Sequence, residues 1–233
     1  MEVVAKVSRI GEPLPLRTQR GLRLSSGRRC VLSRPILPGI KTYYVLSLPG
    51  ANGTVADTGE MLSMAHRIGR MMATWWQGPA AEFIRVSREG FARGVRILHF
   101  LGGTSIDLAE NRAIAQTKMT ISQRADVDGV ACDVVCTGRF YDFFERRSGR
   151  WGLVLRQPIY EKDRLDPIDP AAKLVLDPEL LGRFPDGYRH LAYLQTRIGY
   201  DVKRDMPGLT GPEVEALYAQ GQRWLAGEPL LPR

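Results

Sequence analysis

Residues 95–163 read VRILHFLGGTSIDLAENRAIAQTKMTISQRADVDGVACDVVCTGRFYDFFERRSGRWGLVLRQPIYEKD, a run of apolar and polar alternation broken at Gly102-Gly103, Glu110-Asn111, Asp128-Gly129 and Ser148-Gly149. Glycine, asparagine and aspartate at such breaks supply the backbone freedom and local hydrogen bonds that turns need. Between them lie about four runs rich in Val, Ile, Thr, Phe and Tyr, two of them longer than an average strand. The expected fold class is therefore α+β, built on a curved antiparallel sheet in meander order.

Successive residues of a strand point to opposite faces, so the alternation also says which side chains share a side. In the first run Val95, Ile97, His99 and Leu101 go together, which places an imidazole among apolar neighbours. In the last run Val154 and Arg156 point opposite to Trp151, Leu153 and Leu155. A histidine and an arginine on mostly apolar strands need hydrogen-bonding partners or water. The ordinary explanation is a backbone carbonyl, a carboxylate or the solvent-facing rim; the functional one is a site.

Before the sheet, Pro79 to Arg93 has the marks of a helix, with proline suited to its first turn and Gly94 to its end. Ala80, Phe83, Ile84, Ser87 and Phe91 recur at helical spacing along one face. Packed into a sheet concavity, Phe83 and Phe91 become core or the wall of a binding pocket.

Within the third run, Val130, Cys132, Val134 and Cys136 alternate against Ala131, Asp133, Val135, Thr137, Arg139 and Tyr141. If the second set is concave, Tyr141 offers a hydroxyl to a pocket and Asp133 a carboxylate; the usual alternative for both is a solvated face. Cys132 and Cys136 lie about 13 Å apart by strand rise, too far for a mutual disulfide or a shared metal. With Cys30 as the third, they fit a reducing compartment and no metal cluster.

After Asp163 the stretch LDPIDPAAK closes the sheet. Two helices follow, Tyr188 to Ile198 with Leu191, Leu194 and Ile198 on one side, and Pro212 to Ala226 with Val214, Leu217, Tyr218 and Leu225 inward. His190 is read as structural.

Residues 1–73 are different in kind. They hold 11 Lys and Arg against 4 Asp and Glu, while the rest of the chain holds 22 against 21, so nearly all of the formal +8 lies there. Proline and glycine interrupt any periodicity, and only Gly59 to Thr74 has a loose helical stripe, with His66 read as a packing residue. A disordered leader, an irregular cover for the sheet and a mistranslated frame joining near Trp75 are three open accounts of this segment. Its positive charge attracts phosphate, and Trp75-Trp76 offers rings for stacking. Yet no nucleic-acid motif is present and the charges do not line one helix, so nucleic acid is not the expected partner. No apolar run reaches signal-peptide or membrane-span length, which leads to the expectation of a soluble cytoplasmic protein.

The helix PAAEFIRVSREGFARG, a strand with histidine ahead of a glycine break, and three long strands ending in GRWGLVLRQPIYEKDRLDP together resemble the SnoaL-like branch of the nuclear transport factor 2-like superfamily, over roughly Trp75 to Asp169. FPDGYRHLAYLQ and DMPGLTGPEVEALY resemble a C-terminal extension found in a subset of that family. The division that follows is an atypical segment at 1–73, a SnoaL-like domain at 74–169 and a helical extension at 170–233. The resemblance implies a cone, a curved sheet with helices in its concavity and a pocket at its open end. It also implies, by analogy, a homo-oligomer and a small hydrophobic molecule as partner.

Some members of the superfamily are polyketide cyclases, dehydratases or a dehydrochlorinase; many have no known reaction. In the dehydratases and the dehydrochlorinase a histidine abstracts a proton, an aspartate from the first helical region orients it, and an arginine or tyrosine assists the anion. His99 and Arg156 match the histidine and the arginine by position, and the aspartate has no match. The resemblance thus implies a cofactor-independent dehydratase, cyclase or isomerase. The alternative is a non-catalytic ligand-binding or assembly protein that keeps the cone without the dyad.

Overall fold

The computed structural model describes residues 69–147 and 150–230, together with the backbone of three short strands, Leu22–Arg23 (β1), Arg29–Leu32 (β2) and Lys41–Val45 (β3). A short hairpin, Arg70–Met72 (β4) and Gln77–Pro79 (β5), leads into helix α1, Ala80–Ala92. Four long strands follow, Arg96–Ala109 (β6), Arg112–Val127 (β7), Val130–Arg147 (β8) and Arg150–Pro167 (β9). Three helices close the chain, Pro178–Leu181 (α2), Arg189–Arg197 (α3) and Pro212–Leu225 (α4).

The strands form one curved sheet in the order β1-β2-β3-β6-β7-β8-β9-β4-β5. The expected meander is β6 to β9, each strand antiparallel to the next. Its turns fall at two of the predicted breaks, where Glu110 (φ 48°), Asp128 (φ 54°) and Gly129 (φ 83°) take left-handed backbone. Asp128-Gly129 is the pairing that a two-residue hairpin favours. The Ser148-Gly149 break lies outside the described residues. Gly102-Gly103 is no turn: it stays within β6, where the register against β7 shifts between Leu101 and Thr104. An irregularity of this kind bends a strand without ending it, and glycine tolerates the distortion.

The sheet is mixed, because β4 runs parallel to β9, pairing Arg70 with Leu155 and Met71 with Arg156. This corrects the helix expected over Gly59 to Thr74 at its C-terminal end. Met71 and Met72 are both buried, one toward each side of the sheet's edge, as alternation in a strand allows and a helical stripe does not. The rest of that expected helix, His66 and Cys30 lie outside the described residues, as does nearly all of the basic segment. Within it, β3 pairs with β6 from Lys41 opposite Leu108 to Val45 opposite Thr104.

Two cores share the sheet, one on each face. The inner core joins Met119, Ile121, Val134, Cys136 and Phe140 to Leu191 and Leu194 of α3. The outer core joins Ile114, Tyr141, Phe143 and Ile159 to Val214, Leu217 and Trp224 of α4. A second register shift, at Thr137/Gly138 opposite Tyr160/Lys162, changes which residues of β9 face inward. Gly138 permits it: a Cβ there would stand 2.0 Å from the Ile159 carbonyl oxygen. Tyr160 and Asp163 then both point into the concavity.

Candidate functional site

Between α1, the inner face of the sheet and α3 lies a mainly apolar cavity of about 90 Å³. Val95, Ile97 and His99 reach it from one end of the sheet, as the alternation of the first run requires, and Phe140, Pro158 and Tyr160 from the other. Phe83, Val86, Ser87 and Phe91 of α1 form its lid side, with Phe91 38% exposed at the rim. Trp75 packs on Phe83 at 5.5 Å and on Tyr200 at 5.1 Å between ring centroids, while Trp76 lies 5.6 Å from Phe83. Trp75 is thus part of the wall, while Trp76 packs against Phe83 without lining the cavity.

The polar side chains of the cavity form a buried ladder. Thr74 Oγ1 donates to Gln195 Oε1 at 2.7 Å, and Gln195 Nε2 donates to Gln123 Oε1 at 3.3 Å. Thr74 also stands by the Tyr160 hydroxyl, which burial holds far above the usual phenol range. Ser87 is the exception. Its hydroxyl is buried with no hydrogen-bond partner, even though a helical serine can bond back to its own helix.

His99 is half-buried in the cavity wall, stacks near Phe140 at 6.4 Å, and is held down at about 4 by loss of water and by the positive charge of Arg156. Among the described residues no carboxylate hydrogen-bonds its ring. Both causes favour the neutral imidazole over its cation.

Arg156 points to the same side of the sheet, two residues from Pro158, but it does not line the cavity. Its Nε and Nη2 bond both oxygens of Asp142 at 2.8 and 2.7 Å, and its guanidinium lies 4.2 Å from the centre of the Phe140 ring. Asp142 is its cross-strand partner in the ladder, and both are buried. Two parallel N–H bonds to one carboxylate satisfy the fork and fix its geometry. Arg156, expected to meet a substrate anion, is instead held by both oxygens of Asp142 and does not line the cavity.

Tyr141 is corrected as a pocket residue. It belongs to the outer face, where it packs on Phe143 and Tyr218, each 5.4 Å away, and where a Cβ on Gly221 of α4 would come within 1.9 Å of its hydroxyl. Asp133 is also turned outward, in a bidentate pair with Arg124 at 2.7 and 2.6 Å. The concave set is the one with the thiols. Cys132 and Cys136 are buried and free, and burial pushes the Cys136 thiol well above its usual range.

An aspartate–histidine pair does exist, elsewhere. His190 Nδ1 lies 2.8 Å from Asp163 Oδ1, and Asp163 Oδ2 accepts the Leu191 backbone N–H at 2.7 Å. The fully buried Asp163 side chain thus caps the first turn of α3 and ties it to β9. Neither residue lines the cavity.

Sequence reading passed over Thr74, Gln123 and Gln195. The legible signal was a polar residue at an inward position, such as Gln123 between Ile121 and Ala125, in a pattern otherwise apolar. Among the described residues no group of three or more His, Cys, Asp or Glu is placed to hold a metal ion.

A cone with a small, partly polar interior defines a class of proteins, and comparison agrees with it: residues 59–157 match the SnoaL-like domain. The chain belongs to this family, a branch of the nuclear transport factor 2-like superfamily. It is 41% identical over 174 residues to a PEP2-like protein of Fusarium vanettenii, covering 70% of this chain and 75% of the relative. It is 37% identical, with the same coverage, to pea pathogenicity protein 2 of that fungus. An uncharacterized protein of Emericella nidulans is 33% identical over 67% of this chain and 73% of its own length.

Proposed function

We propose that this chain is a small-molecule-binding protein in which His99 works as a neutral hydrogen-bonding wall group, without the aspartate–histidine base of the dehydratases. The observation that carries this reading is the isolation of His99: half-buried in the cavity wall, with no carboxylate at its ring among the described residues, and beside an arginine whose charge opposes its protonation. A carboxylate would orient the ring and stabilise the imidazolium formed on proton abstraction. Arg156 does the reverse. The cavity itself is what a ligand site needs, concave and mainly apolar with a few convergent polar groups.

The same reading places the protein in the cytoplasm as a homo-oligomer. Two free buried thiols suit a reducing compartment, and Leu98 and Phe100 are exposed side by side on the outer face of β6. No described helix is long and apolar enough to cross a membrane.

The test uses full-length protein carrying 13C-methyl methionine, with the Met71 methyl in the cavity wall as reporter and cyclopentanone as probe. Cyclopentanone should shift the Met71 signal, and His99→Ala should weaken its binding by less than about tenfold, one hydrogen bond's worth. A conversion of cyclic ketone or alcohol substrates that His99→Ala abolishes would overturn the reading in favour of a dehydratase or isomerase.

A further inference from the structure

The occupant of the cavity can be narrowed from the groups that line it, and this step rests on the binding role just proposed. Three observations bear on it. The Ser87 hydroxyl is buried at 8% exposure, lines the cavity and has no hydrogen-bond partner. His99 lines the same cavity, and no described residue hydrogen-bonds its ring. No Asp, Glu, Lys or Arg is among the described residues that line it.

A buried hydroxyl left without a partner is costly, and native proteins keep such groups satisfied by protein, by water or by something that binds. The nearby polar groups do not serve. Thr74, Gln195 and Gln123 are committed to one another in the ladder. Ser87 also lies on the helix face that Ala80, Ile84 and Gly90 bury, where alanine would pack as well and form helix better.

Charge works in the opposite sense. An ionised ligand entering this space would lose its water and touch no counter-ion, because Arg156 does not line the cavity and gives its Nε and Nη2 hydrogens to Asp142. Desolvation without compensation excludes carboxylates and ammonium ions alike. Size is the third limit. At about 90 Å³ the free space is small beside the roughly 300–1,000 Å³ of a pocket for a drug-sized ligand, which favours a compact molecule.

We infer that the cavity selects an uncharged, single-ring compound bearing one hydrogen-bonding oxygen, a cyclic ketone or alcohol, with Ser87 as the residue that reads that oxygen. Ser87 is a specificity determinant here and takes no part in bond making.

The experiment titrates the full-length chain, followed at the Met71 methyl, with four probes of nearly one shape: cyclopentanone, methylenecyclopentane, cyclopentanecarboxylate and cyclopentylammonium. The ketone should bind about tenfold tighter than the hydrocarbon, and the two ions should not bind. In Ser87→Ala, which removes one oxygen, the hydrocarbon should bind as before and the ketone's advantage should shrink to less than about threefold. Equal binding of ketone and hydrocarbon, an unchanged advantage in Ser87→Ala, or binding of either ion as tight as the ketone's would overturn the inference while leaving the binding role intact. If neither ring compound perturbs Met71, the binding role falls and the inference with it.

Discussion

Two histidines stand on the inner side of the same sheet in opposite circumstances. His190 has a buried carboxylate at 2.8 Å, and that carboxylate also holds a helix by its first turn. His99 has a cavity in front of it, an aromatic ring beside it and an arginine's field behind it. The chain therefore does build an aspartate–histidine pair, but uses it to anchor α3. At the cavity, where chemistry would need it, the available carboxylate, Asp142, is locked to Arg156. Whether a histidine acts as a base depends on its partners, and strand position alone does not supply them.

The sharpest way to break this contrast is to free Arg156. Asp142→Ala leaves a buried cation unpaired and should cost about 3–5 kcal/mol in denaturant unfolding. Replacing both partners with apolar residues of similar volume should cost far less and should let the His99 pKa rise, since one of the two causes holding it down is gone. A His99 unaffected by that double change would show that Arg156 does not govern it.

Removing the other carboxylate probes the opposite member of the comparison. Asp163→Ala takes away a helix cap and the His190 bond together, and a loss of about 1–3 kcal/mol is expected. Ligand binding at the cavity should persist under conditions where the variant is folded, because neither residue lines it. A variant that folds but no longer binds would mean that the anchor and the cavity are one unit.

His99 also leaves a mark on stability against pH. Its pKa is about 4 in the folded chain against an ordinary 6.5, so on acidification the unfolded chain takes up this proton first. Stability should therefore fall as pH drops from about 6.5 to about 4, with a slope of at most about 1.4 kcal/mol per pH unit from this group. Comparing wild type with His99→Gln isolates it, since the variant lacks that contribution. Identical slopes would place His99 in water.

The smallest expected effect is that of Ser87→Ala without ligand. Deleting a buried hydroxyl that has no partner should stabilise the variant, by about 1 kcal/mol. A loss of more than about 1 kcal/mol would mean that the hydroxyl has a partner in solution.

The fold was legible because hairpin chemistry and strand alternation are local. Glu110-Asn111 and Asp128-Gly129 marked true turns, and Val95, Ile97, His99 and Leu101 do share the inner face. Alternation failed where the register slips. Gly102-Gly103 read as a turn because glycine pairs serve both turns and bulges, and the shift at Gly138 is marked only by an isolated glycine within a strand pattern. Tyr141 was assigned to the cavity because alternation gives two sets of residues without saying which is concave. That choice is made by α4, some seventy residues downstream, whose Gly221 receives the Tyr141 ring. The Asp142–Arg156 lock was equally hidden, since cross-strand partners are fixed by register and not by sequence distance.

One measurement goes to the centre of the account: a 15N NMR titration of the imidazole of His99 in the full-length chain, assigned with His99→Gln. The account predicts a neutral ring through pH 5 to 8, with protonation only as pH nears 4. A ring that protonates near pH 7, as a carboxylate-paired base would, contradicts it.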